Sequence, residues 1–317
     1  MTANWRWQLI IPGLLAIVGS GAVSTAAGHE GYDPRKVLQL QNQAEAERNS
    51  PFYSREAEGD AAALTRLGIA SRLAGGAAND VEAVKWFRMA AALGYGEAEY
   101  YLGLMAEEGR GMARNCTIAA RWYDLAVRQG VAEAQYRLGV LYETGCGVPG
   151  DDAAAARLYL MAAGRHLPDA EFRLGTLIHD GRGIPRNDAD AARWFHKAAS
   201  RGSLPAAFAL GQLLDDGNVA PPPGESAVGW YHYAADRGYA PAQRQLGVLY
   251  AAGRLVAADR VQAMMWFNLA IAGGDGEAAA LKERLAGRLT PFELLAAQRR
   301  ARLWQPTTDC TSSQNSP

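Results

Sequence analysis

Three sets of residues have the types and spacing to do chemistry. His196 and His232 stand 36 residues apart, Cys116 and Cys146 stand 30 apart, and Glu107-Glu108 and Asp215-Asp216 each set two carboxylates side by side. Imidazole pairs ligate zinc, thiols ligate metals or close a bridge, and twin acids divide general-acid and general-base work. None of these sets is complete. Zinc takes about four ligands at roughly 2.1 Å, whereas equivalent positions on stacked helices lie on the order of 10 Å apart, and no third ligand accompanies the histidines. They read as solvated surface residues. Neighbouring acids on a helix do not face each other, so both acidic pairs read as solvated helix ends. A glycine-rich phosphate loop, a Gly-x-Ser-x-Gly elbow and a His-Glu-x-x-His pair are all absent from the sequence. These residue types and spacings therefore assign no catalytic residue, no metal site and no cofactor.

The cysteines leave two readings open. Cys116 follows the helix-cap residue Asn115, and Cys146 lies in the turn Gly145-Cys146-Gly147 of the next unit, at the same edge. A bridge closing that loop would contribute about 3–4 kcal/mol if unstrained. The other reading is two unpaired thiols, and Cys310 is left over in either case.

What would position these residues is a 36-residue ruler. Leu102-Gly103 recurs as Leu138-Gly139, Leu174-Gly175, Leu210-Gly211 and Leu246-Gly247, with Leu67-Gly68 one residue short. The same interval gives alanines at 83, 119, 155, 191, 227 and 263, and again at 90, 126, 162, 198, 234 and 270. Between them runs an aromatic column, Phe87, Tyr123, Tyr159, Phe195, Tyr231 and Phe267. Beside it stand Trp86, Trp122, Trp194, Trp230 and Trp266, with Leu158 as the exception. A period of this length marks a solenoid, in which each unit buries its apolar face only against its neighbours. The tryptophans fall beside the alanines and read as core.

Within one unit, Ala134, Leu138, Leu141 and Tyr142 share a helix face, and Gly145 and Gly147 permit a tight turn. Asn79, Asn115, Asp151, Asn187 and Asp259 are the expected caps of a second helix, with Pro223 departing. Gly94, Gly130, Gly202, Gly238 and Gly274 would stop it, and His166 replaces that glycine. The third unit, lacking both tryptophan and stop glycine, is expected to be locally less regular. Thr290-Pro291-Phe292-Glu293 then predicts a capped closing helix that ends near Trp304.

The composition is that of a folded chain, 49% apolar and 21% charged, and the net charge of -1 without a dense basic run argues against nucleic acid as partner. Arg6, the apolar run Leu9–Val18 and the small residues up to Gly28 have the order of a secretory signal. The run is shorter than the roughly 20 residues that span a bilayer, although a retained anchor is the alternative.

The pattern Ala-x-x-x-Leu-Gly, Tyr-x-x-Gly-x-Gly-Val, then Ala-x-x-Trp-Tyr/Phe-x-x-Ala-Ala and a stop glycine resembles the Sel-1-like repeat family, a branch of the tetratricopeptide-like repeats. The match covers residues 59 to 304. The resemblance implies an all-α fold, a right-handed α-α superhelical solenoid of about six helix-turn-helix repeats with capping helices. The organisation expected is a signal peptide or membrane anchor at 1-28, an N-terminal cap at 29-58, repeats at 59-276, capping helices at 277-304 and a disordered tail at 305-317. The resemblance also implies a non-catalytic scaffold or adaptor of the bacterial envelope, periplasmic or secreted, or held at the inner membrane by its N-terminal segment. A glycan- or peptidoglycan-binding protein is the alternative. Some cysteine-rich secreted relatives process β-lactams, but this chain lacks their regular cysteine pair in each repeat.

In related solenoids the first helices line the concave side. There Tyr101, Arg137 and Arg173 precede the Leu-Gly pair, and Glu99, Gln135 and Glu171 stand two residues earlier. These positions vary while their neighbours do not, which marks them as the candidate surface for a protein or peptide partner; ordinary solvated positions are the alternative reading. Tyrosine and arginine are common binding hot spots.

Overall fold

The computed structural model describes residues 60–307. Within them the chain forms six helical hairpins: α1 (Ala61–Ala74) with α2 (Ala77–Ala92), α3 (Gly96–Glu108) with α4 (Cys116–Arg128), and α5 (Ala132–Thr144) with α6 (Asp152–Ala163). The series continues with α7 (Pro168–Asp180) and α8 (Asp188–Ser200), α9 (Leu204–Asp215) and α10 (Ala227–Ala235), α11 (Ala240–Ala252) and α12 (Arg260–Ala272). Two further helices, α13 (Glu277–Ala286) and α14 (Pro291–Leu303), close the array. The described residues hold helices and turns without a strand. This is an all-α repeat solenoid. Among the six hairpins, the first helices α1 and α3 touch, and no two neighbouring second helices do so to the same extent; at the closing end α13 touches α11 and α14 packs broadly on α12. The side that carries the first helices is the inner side expected for such a solenoid.

Glycine in the Leu-Gly pair makes room for a ring. A Cβ on Gly103 would lie 2.4 Å from Tyr123, one on Gly139 2.6 Å from Tyr159, and one on Gly175 2.7 Å from Phe195. The second helix of each hairpin thus lays its aromatic side chain directly on the backbone of the first. A second ring column seals it, with centroids 6.0 Å apart for Tyr100–Tyr123, 5.9 Å for Tyr136–Tyr159 and 5.8 Å for Phe172–Phe195. The alanine columns are fully enclosed at nearly every position, which is what allows the helices to approach so closely. Trp266 is buried, whereas Trp86, Trp122, Trp194 and Trp230 pack on the core with one edge open. The tryptophan column is thus partly peripheral.

Several helix ends depart from the pattern expected. Asn115, Asp151, Asn187 and Asp259 do accept backbone amides at helix starts. Asn79 does not, because α2 begins earlier, after Gly76, and its side chain donates to the Gly75 carbonyl instead. Ser226 caps α10 in place of Pro223, since the prolines lengthen that turn. The third hairpin is as regular as the others: His166 adopts φ 65° and takes the left-handed stop that glycine supplies elsewhere. The cost is local backbone strain at one residue, not a distorted helix. Thr290 and Glu293 form the reciprocal capping box on α14.

Candidate functional site

The inner side is built around carboxylates at the ends of the first helices. The Tyr123 hydroxyl donates to Glu107 at 2.6 Å, Tyr159 to Glu143 at 2.7 Å and Tyr231 to Asp215 at 3.3 Å. In the fourth and sixth hairpins the ring is Phe195 or Phe267, with no hydroxyl to place, and the position sixteen residues earlier is His179 or Ala251. Acid and phenol thus come and go together along the chain. Burial, and then the adjacent carboxylate, hold all three tyrosines protonated well above the usual phenol range.

Each acid also reaches arginine. Glu107 lies 3.9 Å from Arg137, Glu143 lies 3.8 Å from Arg173 and 3.2 Å from Arg182, and Asp215 receives Arg254. The acidic pairs read as solvated helix ends are therefore only partly so. Glu107 and Asp215 are anchors of this network, with the Asp215 side chain 4% exposed. Glu108 pairs with Arg72, and Asp216 is the solvated one.

The six residues proposed for partner contact separate into two groups. Tyr101 and Arg173 keep part of their surface open on the inner side, and the Arg137 side chain is mostly covered, at 17% exposure. Tyr101 stacks on Phe87 at 4.9 Å with planes 7° apart, and the Arg173 side chain is 42% exposed. Glu99, Gln135 and Glu171 instead are buried, at 6%, 4% and 1% exposure. This corrects their assignment to the docking surface. They stand three residues before Leu102, Leu138 and Leu174, so helical geometry puts them on the core stripe, where the variation of the column from repeat to repeat is variation of buried polar residues. Gln129 donates to Glu99 at 2.7 Å, and Arg201 stands 3.6 Å from Glu171, whose oxygens accept no hydrogen bond. Burial pushes both carboxyls above the ordinary carboxylate range.

At the turn edge Cys116 and Cys146 form a disulfide, with Cα atoms 5.6 Å apart. The neighbouring hairpins use the same two positions differently. Arg110 grips Asp80 at 2.6 and 3.2 Å, and Arg182 grips Asp152 at 2.7 and 3.1 Å, each across the same 30 residues. The bridge is one rung in a ladder of inter-hairpin staples. The histidines read as solvated are half-buried and separately engaged: His196 meets Glu225 at 3.2 Å, and His232 meets the Tyr250 hydroxyl at 3.4 Å. Among the described residues no cluster of three or more metal-type ligands occurs, and no helix is long and apolar enough to cross a membrane. The N-terminal segment read as a signal or anchor lies outside those residues.

A Sel1 repeat model matches residues 61–95, 96–131, 132–165, 168–203, 204–239 and 240–275. The chain belongs to the Sel1 repeat family. Sel1 repeat proteins are generally protein-interaction scaffolds, and the Sel1 solenoid is typically non-catalytic. Among solved structures, the chain is similar to a protective antigen of uropathogenic Escherichia coli that displays an SLR fold, with 26% identity and a TM-score of 0.68 over 85% of this chain. The chain spans 62% of that protein's length. It is also similar to a Sel1 repeat protein from Oxalobacter formigenes, with 25% identity and a TM-score of 0.67, over 78% of this chain and 99% of the other. The curated proteins include no match.

Proposed function

We propose that this Sel1 array is a non-catalytic scaffold of the bacterial cell envelope that holds a protein or peptide against Tyr101, Arg137 and Arg173 on its inner side. The observation that carries the reading is the anchoring of the two guanidiniums. Glu107 and Glu143 pair by charge with Arg137 and Arg173 at 3.9 and 3.8 Å, and Tyr123 and Tyr159 fix those acids by hydrogen bonds. A side chain fixed before its partner arrives loses little freedom on binding. Arg173 keeps enough open surface to meet a carboxylate or backbone carbonyl. The signal-like order of residues 1-28 and the described disulfide support export, since bridges persist in oxidising compartments.

Two experiments test this. A reporter enzyme active only outside the cytoplasm, fused after residue 28, should be active in an envelope-bearing bacterium; an inactive fusion removes the location. Capture from envelope extracts should be lost in the Tyr101→Ala, Arg137→Ala, Arg173→Ala variant, provided circular dichroism shows it folded. Unchanged capture removes the inner surface as the docking site.

A further inference from the structure

The tryptophan column fails at one hairpin, and a groove opens there. In later hairpins this tryptophan leans back toward the preceding second helix: Trp230 meets His196 edge-on at 5.4 Å, and Trp266 meets His232 at 5.8 Å. The corresponding pair two levels before Trp230 and His196 is Leu158 and Asp124, where a branched aliphatic stands in place of an indole. Against α4 at this level lies a groove of about 460 Å³, lined by Ala120, Leu125, Leu138 and Tyr142 with Arg121 and Asp124 beside them.

The outward side of α2, α4 and α6 around this groove repeats one pattern three times. Met89, Leu125 and Met161 occupy the same position in successive hairpins and are 41%, 41% and 48% exposed. Ile118 and Leu160 add further open apolar surface. One turn earlier on each helix stands a cation, Lys85, Arg121 or Arg157, all exposed. Together with Arg88 they make no ion pair or hydrogen bond among the described residues. The acids nearby are already engaged: Asp124 pairs with Arg128 at 2.8 Å, and Glu82 accepts from the Trp86 indole at 3.4 Å. In the fourth hairpin the pattern stops, because Arg193 pairs with Asp190 and the apolar position becomes Lys197, lying over Trp194.

We propose that this outward ledge docks an acidic amphipathic helical segment of a protein partner, with one bulky side chain entering the groove where the indole is missing. Free cations alternating with an exposed apolar row call for acids alternating with anchors, the pattern an amphipathic helix carries on one face. The groove is a slot suited to one large side chain, which selects a folded segment over the flat surface of a lipid leaflet. The inference rests on the scaffold reading, but its residues do not include Tyr101, Arg137 or Arg173, so the two can fail separately.

The test uses the full chain and three probes: a fluorescein-labelled acidic amphipathic peptide with one tryptophan on its apolar face, its lysine-substituted twin, and phosphatidylglycerol vesicles. The acidic peptide should bind, more weakly as salt rises, and the twin should not. Arg121→Glu with Arg157→Glu should weaken binding about tenfold or more, and so should Leu158→Trp, which supplies the missing ring. Arg173→Ala should bind as the parent chain does. Circular dichroism confirms the fold of each variant, and if Leu158→Trp does not fold the charge-reversed pair decides. Equal binding of the two peptides, binding of vesicles without the acidic peptide, or full binding by folded Leu158→Trp would each overturn the proposal. Loss of peptide binding on Arg173→Ala would do so too, by moving the site to the Tyr101, Arg137 and Arg173 surface.

Discussion

Gly139→Ala should destabilise the protein even though it improves the helix. An alanine Cβ at this site would lie 2.6 Å from Tyr159 Cε1 and 2.9 Å from Cδ1. Carbon atoms rest at about 3.5–4.0 Å, so the ring must retreat by roughly 1 Å. It has nowhere to go, since Tyr159 is fully enclosed and its hydroxyl is tied to Glu143 at 2.7 Å. Overpacking costs about 1–3 kcal/mol, and disturbing the phenol bond adds about 1 kcal/mol. Replacing glycine by alanine inside a helix returns about 1 kcal/mol. The net loss expected is about 1–3 kcal/mol, read by urea unfolding followed by far-ultraviolet circular dichroism. The same change introduced into Tyr159→Leu should have the opposite sign, because the ring is gone and only the propensity gain remains. If Gly139→Ala stabilises the parent chain by about 1 kcal/mol, as it would in an open helix, the glycine column does not exist to seat the ring.

Tyr159→Phe should cost about 1–2 kcal/mol by the same urea assay, because Glu143 loses its phenol partner and keeps only the two arginines. Reduction of the Cys116–Cys146 bridge should lower stability by about 3–4 kcal/mol for its 30-residue separation. Cys116→Asp with Cys146→Arg, which copies the neighbouring hairpins, should recover part of that loss in calorimetry under reducing conditions. Burial raises the folded-state value of the Glu171 carboxyl, so its stabilising contribution is full below the ordinary carboxylate value of about 4.3 and declines as pH rises through the raised one. Glu171→Gln should flatten that decline in thermal melts across pH 4 to 7, and an unchanged slope would contradict the burial argument.

The array was legible from sequence because its columns carry packing information redundantly. Leucine, glycine, alanine and an aromatic ring recur together, and any one of them would have given the period. Single departures were harder to read. His166 looked like an interruption, yet a histidine tolerates the left-handed angle well enough to keep the hairpin intact. The variation of the column that holds Glu99, Gln135 and Glu171 suggests a surface, although their spacing from the leucines already puts them on the buried stripe. The phenol–carboxylate pairs did carry a signal, the exchange of Tyr with acid for Phe with His or Ala sixteen residues away. That relation crosses from one helix to the next, so the periodicity of a single helix does not show it. The staple ladder stayed hidden for a different reason. Ion pair and disulfide look unrelated as letters and become equivalent only once the turns rest on the preceding hairpin.

The last helix gives the array a direction. Trp304 packs on the main core, Arg300 reaches Gln262 at 3.1 Å, and the Thr307 amide donates to the Asp236 carbonyl at 2.7 Å. A single terminal segment therefore latches both the α10–α11 connection and α12. A repeat protein ordinarily frays by shedding its outermost unit one interface at a time. Here, unpeeling from the carboxyl side must release two levels together, so that side behaves as a clasp.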